Sequence, residues 1–279
     1  MSTRPGTVSK ILWHFTGGPL WDNALNKQRT ELKPATDAYS ALSSILSSCQ
    51  LRLGSYHEIV KVILKEKRRR NFETKKLEIL KDVPTHIKSS AVCCVADIPI
   101  QHLSFHSKRY GKIAIGFHRE SIIKAGFNPV LYSLENTQLL NSLYQGYSAV
   151  SGMCIFEAIS AKDDLESKLE SLSEVYEHNI DTYDLDSELQ TIESSQDEAL
   201  GSFETLLAYV KSFDDTELDS IYCEREWRSV SNFDFTLDDI AMIVLPKNQE
   251  GQNFYEEFCK TTSLPRSVTI ACWEDLIEH

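Results

Sequence analysis

Hydrophobic and polar positions follow strand-like spacing near both ends of the chain. The apolar run Ile11–Thr16 ends at Gly17-Gly18-Pro19, which predicts a strand followed by a turn. Other apolar runs bounded by turn residues predict strands at Ala91–Ala96, Lys112–Phe117, Pro129–Ser133, Tyr222–Phe235, Ile240–Leu245 and Ser267–Cys272. Strands at both ends with helices between them predict an α+β fold with a mixed or antiparallel sheet.

Helical spacing of apolar residues predicts the remaining elements. Residues 20–34 are predicted as a loop, and a helix then begins at Thr36-Asp37. His57–Leu80 is predicted as a second helix, because Ile59, Val60, Ile63 and Leu64 form one stripe. Shorter helices are predicted at Ile100–Arg109, Arg119–Lys124 and Gln252–Lys260, and residues 136–219 are predicted to be helical throughout. We therefore expect a single domain over residues 1–279, with a helical acidic insertion at about 155–218.

The net charge of −12 is concentrated in that insertion. Ala161–Leu200 holds thirteen acidic residues and two lysines, whereas Lys61–Lys81 holds nine basic and three acidic residues. The acidic segment is suited to covering a basic surface of a protein partner. The basic run Lys65–Arg70 is predicted as a solvated helix face, with docking onto an acidic surface as its functional alternative. Nucleic acid is not expected as a partner, because the overall negative charge repels a polyanion.

The cysteine spacing, the apolar runs and the motifs of the sequence predict the cellular compartment and exclude several classes of function. The seven cysteines show no CxxC spacing, which favours reduced thiols in a cytoplasmic protein over zinc or disulfides. No apolar run approaches the ~18 residues of a membrane span, and the start lacks the pattern of a signal peptide. Walker A, GxGxxG, GxSxG and HExxH motifs are absent from the sequence.

Two short motifs carry candidate chemistry. His14 lies near the end of the first predicted strand, where its ring could meet a ligand or could simply bond within the sheet. Glu224, Glu226 and Arg228 alternate along a predicted strand and would share one face. Neighbouring carboxylates shift each other's pKa, as in catalytic pairs, although an exposed strand with alternating ion pairs is the structural alternative.

A third motif is weaker. His102 and His106 stand four residues apart, which is metal-ligand spacing, but no carboxylate or cysteine completes a zinc helix, so a structural or surface role is favoured. Asp97 is expected to cap the helix that Pro99 begins.

Several of these segments resemble AbiGi-type abortive-infection proteins of bacteria, a family of antitoxins in phage-defence systems. The resemblance rests on Ile11–Gly18, Leu51–Gly54 and Val95–Pro99, together with His106 and Tyr110-Gly111, and covers most of residues 10–150. It implies a protein partner, such as a cognate toxin. Glu224–Arg228 is similar to a motif in a related group of bacterial proteins.

The order of the motifs also resembles, more distantly, that of ADP-ribosyltransferases. That resemblance implies NAD as a cofactor, with His14 and Thr16 as nucleotide contacts, Glu226 as the catalytic carboxylate and Glu224 as its substrate-orienting neighbour. The middle strand, Val92–Ala96, departs from that family because it lacks the expected serine or tyrosine.

We therefore expect a component of a bacterial abortive-infection or toxin–antitoxin system. It is predicted either to have an ADP-ribosyltransferase-like activity or to neutralise a protein partner without catalysis, through its acidic helical segment. The enzyme hypothesis requires His14 and Glu226 to line one cleft.

Overall fold

The computed structural model describes residues 9–22, 27–54, 57–70, 74, 77–135, 137–151, 183–213 and 222–277. Its strands are β1 (Ile11–Phe15), β2 (Pro19–Asp22), β3 (Lys27–Leu32), β4 (Gln50–Leu51), β5 (Ile59–Arg70), β6 (Leu77–Lys88), β7 (Cys93–Ala96), β8 (Ala114–His118), β9 (Asn128–Pro129), β10 (Leu131–Leu134), β11 (Val210–Phe213), β12 (Glu226–Ser229), β13 (Phe233–Asp234), β14 (Ile240–Leu245) and β15 (Thr269–Cys272). Its helices are α1 (Ala35–Ser48), α2 (Leu103–Tyr110), α3 (Arg119–Lys124), α4 (Gln138–Ser151), α5 (Tyr183–Ala208), α6 (Phe254–Thr261) and α7 (Trp273–Ile277). The predicted α+β class is confirmed.

Seven strands form the central sheet, in the order β15-β14-β8-β1-β7-β12-β9. Neighbouring strands are antiparallel except β14 and β15, which run parallel. The register pairs Leu12 of β1 with Phe117 of β8, and Trp13 with Ala96 of β7. β1 is therefore an inner strand buried on both faces, which explains why its sequence is a nearly continuous apolar run.

Alternate residues of β1 supply two cores on opposite faces of the sheet. Leu12 belongs to the larger core, which also takes side chains from α1, α3 and α6, among them Leu42, Ile122 and Phe258. Trp13 belongs to the smaller core with residues that include Leu103, Val244 and Trp273. The indole N–H of Trp13 donates to the carbonyl of Ile98 at 3.0 Å, so its only polar atom is satisfied.

The predicted helix at His57–Leu80 is wrong, because this stretch forms most of a β-hairpin. β5 pairs with β6 in an antiparallel ladder that runs from Ile59 opposite Lys88 to Arg70 opposite Leu77. The stripe that suggested a helix is rich in β-branched residues, which favour strands, and the partner strand β6 decides between the two patterns.

The hairpin packs with two helices. Ile87 of β6 is buried with residues of α4, α5 and β11, in a core made of Ile87, Leu140, Tyr144, Leu207 and Val210. Phe203 of α5 lies beside Gly146 of α4, where an added Cβ would stand 3.0 Å from the phenyl ring. The helices are antiparallel, since Gln196 of α5 donates to the carbonyl of Val150 at the other end of α4.

Two further segments differ from the prediction. The predicted loop at residues 20–34 contains the hairpin of β2 and β3, and the stretch predicted as helical over 136–219 includes strand β11. Of the predicted acidic insertion, residues 183–213 are described, while 155–182 and 214–218 lie outside the described residues.

Contacts divide the chain into two compact units. The first contains Met1–Tyr56, Ala91–Tyr132 and Phe213–His279, and the second contains His57–Ser90 and Ser133–Ser212. The first unit holds the central sheet, and the second holds the β5–β6 hairpin with α4 and α5. The single-domain organisation stays a prediction.

Within the described ranges, no helix has both the length and the apolar composition needed to cross a bilayer.

Candidate functional site

The imidazole ring of His14 is held within the sheet by a hydrogen bond. Nδ1 lies 3.0 Å from the carbonyl oxygen of Cys94 on the neighbouring strand β7. A carbonyl only accepts, so Nδ1 carries the proton and Nε2 is the acceptor nitrogen of the neutral ring. Burial lowers the pKa of His14, and the charge of Lys33 adds to this, while the bond to Cys94 opposes it. The ring is therefore a fixed, neutral hydrogen-bonding group at neutral pH.

Thr16 is buried just beyond β1 and is engaged by its neighbours. Its backbone N–H donates to the carbonyl of Ile113 at 3.1 Å, and its hydroxyl donates to the same oxygen at 3.4 Å. These bonds tie the end of β1 to the start of β8, which is a structural role for Thr16.

Glu226 forms an internal ion pair. Its carboxylate accepts from Nε and Nη2 of Arg228, each at 3.0 Å, in a two-bond fork. The Arg228 side chain is 0% exposed and that of Glu226 is 14% exposed. A guanidinium buried this deeply requires its counter-charge, so Glu226 has a clear structural function.

The structure does not bring His14 and Glu226 to one face of the sheet. Trp13 and Glu226 both stand directly opposite Ala96 on β7, so these three residues share the face of the smaller core. His14 follows Trp13 and therefore points to the face of the larger core. The cleft that the ADP-ribosyltransferase hypothesis requires is not formed by these described residues, and the proposed roles stay predictions without that geometric support.

Glu224 lies outside strand β12, so the prediction that it shares a strand face with Glu226 and Arg228 is wrong. Tyr222–Glu224 forms a 3-10 turn, and Arg225 has a φ of 44°, in the left-handed region. This reversal redirects Glu224 before the strand begins, which an alternating pattern cannot reveal.

Glu224 contacts helix α2. Its Oε1 lies 2.7 Å from Nη1 of Arg109 and accepts from the hydroxyl of Tyr110 at 3.0 Å. The residue is only 3% exposed, so the buried carboxylate is charge-matched by a partly exposed arginine. Glu224 thus anchors the last turn of α2.

Asp97 is an ion-pair centre and makes no cap for the turn that follows Pro99, contrary to the prediction. Its Oδ2 lies 2.6 Å from Arg119 and 3.2 Å from Arg225, and its Oδ1 accepts from the N–H of Ser9 at 3.1 Å. The Arg119 guanidinium also lies over the ring of Trp227, 5.1 Å from its centroid. Two nearby guanidinium groups attract this carboxylate more than a helix end would.

His106 and His102 differ in their surroundings. His106 is buried, and its ring stacks on Tyr110 with centroids 5.5 Å apart, while Phe15 lies 5.9 Å from it. His102 is exposed at the end of a 3-10 turn. Among the described residues, no three His, Cys, Asp or Glu side chains gather where they could hold a metal ion.

One cavity of about 460 Å³ lies beside this aromatic cluster in the first unit. Its walls come from the β2–β3 hairpin, α2 and the turn that carries Glu224, through Pro19, Arg29, Thr30, Leu32, Phe105, His106, Lys108, Arg109, Tyr110 and Glu224. Of the predicted site residues only Glu224 lines it. Sequence reasoning missed the hairpin wall, since residues 20–34 were predicted as a loop without a partner.

The glycine turn after β1 brings these parts together. A Cβ on Gly17 would lie 3.0 Å from the carbonyl oxygen of Tyr110 and 3.4 Å from the Cα of Gly111. Gly111 has a φ of +78°, which favours glycine. The close approach of the two backbones sets the β2–β3 hairpin beside the end of α2.

Comparison with known proteins assigns the family. The fold and ion pairs define an α+β protein whose buried acids are paired with arginines. Residues 57–259, nearly three quarters of the chain, match the family described as "Putative abortive phage resistance protein AbiGi, antitoxin". The chain belongs to this family of abortive phage-resistance antitoxins, which confirms the resemblance.

The matched region differs from the one on which the resemblance was based. It includes Val95–Pro99 and Glu224–Arg228, but it begins after Ile11–Gly18 and Leu51–Gly54. No curated protein matches the chain, and no solved structure does.

Proposed function

We propose that the protein is the antitoxin of an abortive-infection system and acts by binding its toxin partner rather than by catalysis. The observation that carries this proposal is the engagement of both candidate catalytic acids. Glu226 neutralises a fully buried arginine, and Glu224 is bound by Arg109 and Tyr110. Because both carboxylates have partners within the protein, their presence is explained by structure and needs no catalytic role. Membership of the antitoxin family supports a protein partner.

Helix α5 is the proposed contact surface. It contains seven acidic residues and no basic residue in 26 positions. Asp197 and Glu198 are exposed on this helix, so a basic surface on the toxin would meet two adjacent negative charges there. Ile192, which is 47% exposed, adds an apolar contact.

Neutralisation of the toxin in a growth assay tests the proposal. Asp197 and Glu198 are exposed on α5, so the double change Asp197→Asn, Glu198→Gln removes two charges with little change in shape. We expect neutralisation to weaken. The matched control is Glu256→Gln, Glu257→Gln, an exposed acidic pair on α6, which should neutralise as the wild type does. Equal neutralisation by both variants, and by a chain lacking Ala161–Leu200, would remove the role of the acidic segment.

A second candidate is NAD binding by the face of the sheet that carries His14, whose ring is fixed and neutral. The ADP-ribosyl transfer implied by the distant resemblance would also need Glu226, which lies on the opposite face, so this candidate is proposed for binding and not for the transfer step. Nε2 of His14 is the kind of acceptor that a ribose hydroxyl requires. A thermal-shift titration with NAD tests it, because a ligand that binds only the native state raises the melting temperature. His14→Asn and Thr16→Val should abolish such a shift, and the absence of a shift in the wild type would eliminate this candidate.

A further inference from the structure

We propose that the cavity between the β2–β3 hairpin and α2 binds a small nucleotide, with its phosphate at the rim and its base on the aromatic side. The proposal is independent of toxin binding, which we assign to α5 in the second unit. It rests on the charges, rings and burial of the side chains that line the cavity.

The rim of the cavity is basic. The lining holds three cations, Arg29, Lys108 and Arg109, and one carboxylate, that of Glu224, so its formal charge is +2 in a protein of net charge −12. Arg29 and Lys108 are exposed, whereas Glu224 is buried. Cations at the rim attract a phosphate, and the buried acid repels an anion from the deeper part.

The interior suits a planar group that donates hydrogen bonds. Phe105 presents an aromatic side chain that is 51% exposed, and His106 and Tyr110 are stacked on each other beside it. A nucleobase has a π-face for Phe105, and its N–H groups would add to the bonds that the Glu224 carboxylate already accepts from Arg109 and Tyr110. A phosphate alone would satisfy only the rim.

The volume of the cavity and the net negative charge of the protein both favour a small anion over a large one. A volume of about 460 Å³ falls within the roughly 300–1,000 Å³ of small-molecule sites. A polynucleotide would experience the repulsion of the whole acidic protein, whereas a mononucleotide engages mainly the local cations. The occupant we assign is therefore a mononucleotide.

Calorimetric titration of the full-length protein tests the assignment, with AMP, adenosine and inorganic phosphate as three separate probes. We expect AMP to bind at least about tenfold more tightly than either fragment, because only AMP satisfies both rim and interior. If phosphate bound as tightly as AMP, the cavity would recognise only the phosphate group. If adenosine bound as tightly as AMP, the cavity would recognise only the base and ribose. Either result, or the absence of heat with AMP, would overturn the proposal.

Variants locate the binding. Arg29→Ala with Lys108→Ala should weaken AMP by at least about tenfold, and Phe105→Ala should weaken AMP and adenosine but not phosphate. All three side chains are exposed, so the variants are expected to fold, and their melting temperatures check this. Lys124→Ala, an exposed lysine of α3 outside the cavity, is the control and should bind AMP unchanged.

Unchanged binding by the double variant would place AMP elsewhere. Toxin neutralisation by these variants should equal that of the wild type, which separates this result from the test of α5.

Discussion

At the scale of single residues, four arginines of the first unit are paired with three acidic residues. Arg228 requires Glu226, Arg119 and Arg225 share Asp97, and Arg109 pairs with Glu224. Breaking such a pair is costly where the charge left behind is buried, as it is for Arg228, whose side chain is 0% exposed. A substitution of one of these acids lowers stability, so a loss of activity in such a variant does not by itself show a catalytic role.

Glu226→Gln should lower the free energy of unfolding by about 3–5 kcal/mol, since the fully buried Arg228 would lose its counter-charge. Urea unfolding measures the change. The double change Glu226→Gln, Arg228→Met removes both charges and should recover part of the loss. A single variant as stable as the wild type would show that the pair contributes nothing.

His14 should make stability depend on pH. Because burial lowers the folded-state pKa below the ordinary 6.5, the unfolded chain binds more protons at acidic pH. Stability contributed by the neutral ring is therefore present above pH 6.5 and is lost as pH falls towards the folded-state pKa. His14→Asn keeps a donor for the Cys94 carbonyl, so its unfolding free energy, measured by urea denaturation, should fall less steeply below pH 6.5. Identical slopes would contradict this account.

The cysteines should react according to burial. Burial raises the pKa of Cys93 to about 12, so its thiolate is scarce at neutral pH, whereas Cys223 and Cys259 are exposed. Brief alkylation of the native protein, followed by mass spectrometry, should modify Cys223 and Cys259 and leave Cys93 intact. Alkylation in urea should modify Cys93 as well. Early modification of native Cys93 would show that the central sheet opens readily.

At the scale of elements, non-local pairing decides where local patterns are ambiguous. β5 and the basic run within it satisfy helical spacing, yet the ladder with β6 makes them a strand. The turn at Arg225 likewise separates Glu224 from β12 and places it against α2. Ile11–Thr16 carries no such ambiguity, because Gly17-Gly18-Pro19 ends it directly.

Two glycines should respond in opposite directions to substitution by alanine. A Cβ on Gly116 of β8 would lie 2.5 Å from Cγ2 of Ile11 and 2.8 Å from the ring of Trp13, so Gly116→Ala should destabilise by about 1–3 kcal/mol. Gly201 of α5 has open space, so Gly201→Ala should stabilise by about 0.5–1 kcal/mol. Thermal unfolding of both variants measures the difference. A stable Gly116→Ala protein would mean that β1 and β8 can separate without cost.

At the scale of the whole molecule, charge is the organising feature. The segment Ala161–Leu200 carries a net −11 of the total −12, so the rest of the chain is close to neutral. The described part of that segment belongs to α5, away in sequence from the strands of the central sheet. This separation allows one part of the chain to serve partner binding while the sheet serves stability.

Binding of the toxin should weaken as salt rises from about 0.05 M to about 0.5 M, because screening shortens the reach of the acidic surface. The affinity for toxin immobilised on a biosensor surface, measured across that range of salt, checks the expectation. Asp197→Asn, Glu198→Gln should show a shallower dependence than the control Glu256→Gln, Glu257→Gln. Affinity independent of salt would point to an apolar contact instead.

The sequence by itself determined the class of fold, the family and five strands of the central sheet, namely β1, β7, β8, β14 and β15. Tyr222–Phe235, predicted as one strand, instead holds a 3-10 turn and the separate strands β12 and β13. Apolar runs such as Ile11–Thr16 and Ile240–Leu245 are buried on both faces, so composition alone marks them. Only the tertiary structure decided that His14 and Glu226 face opposite sides, that Glu224 anchors α2, and that a hairpin completes a cavity with Phe105. Those outcomes depend on register, on one left-handed residue and on partners distant in the chain, none of which a local pattern encodes.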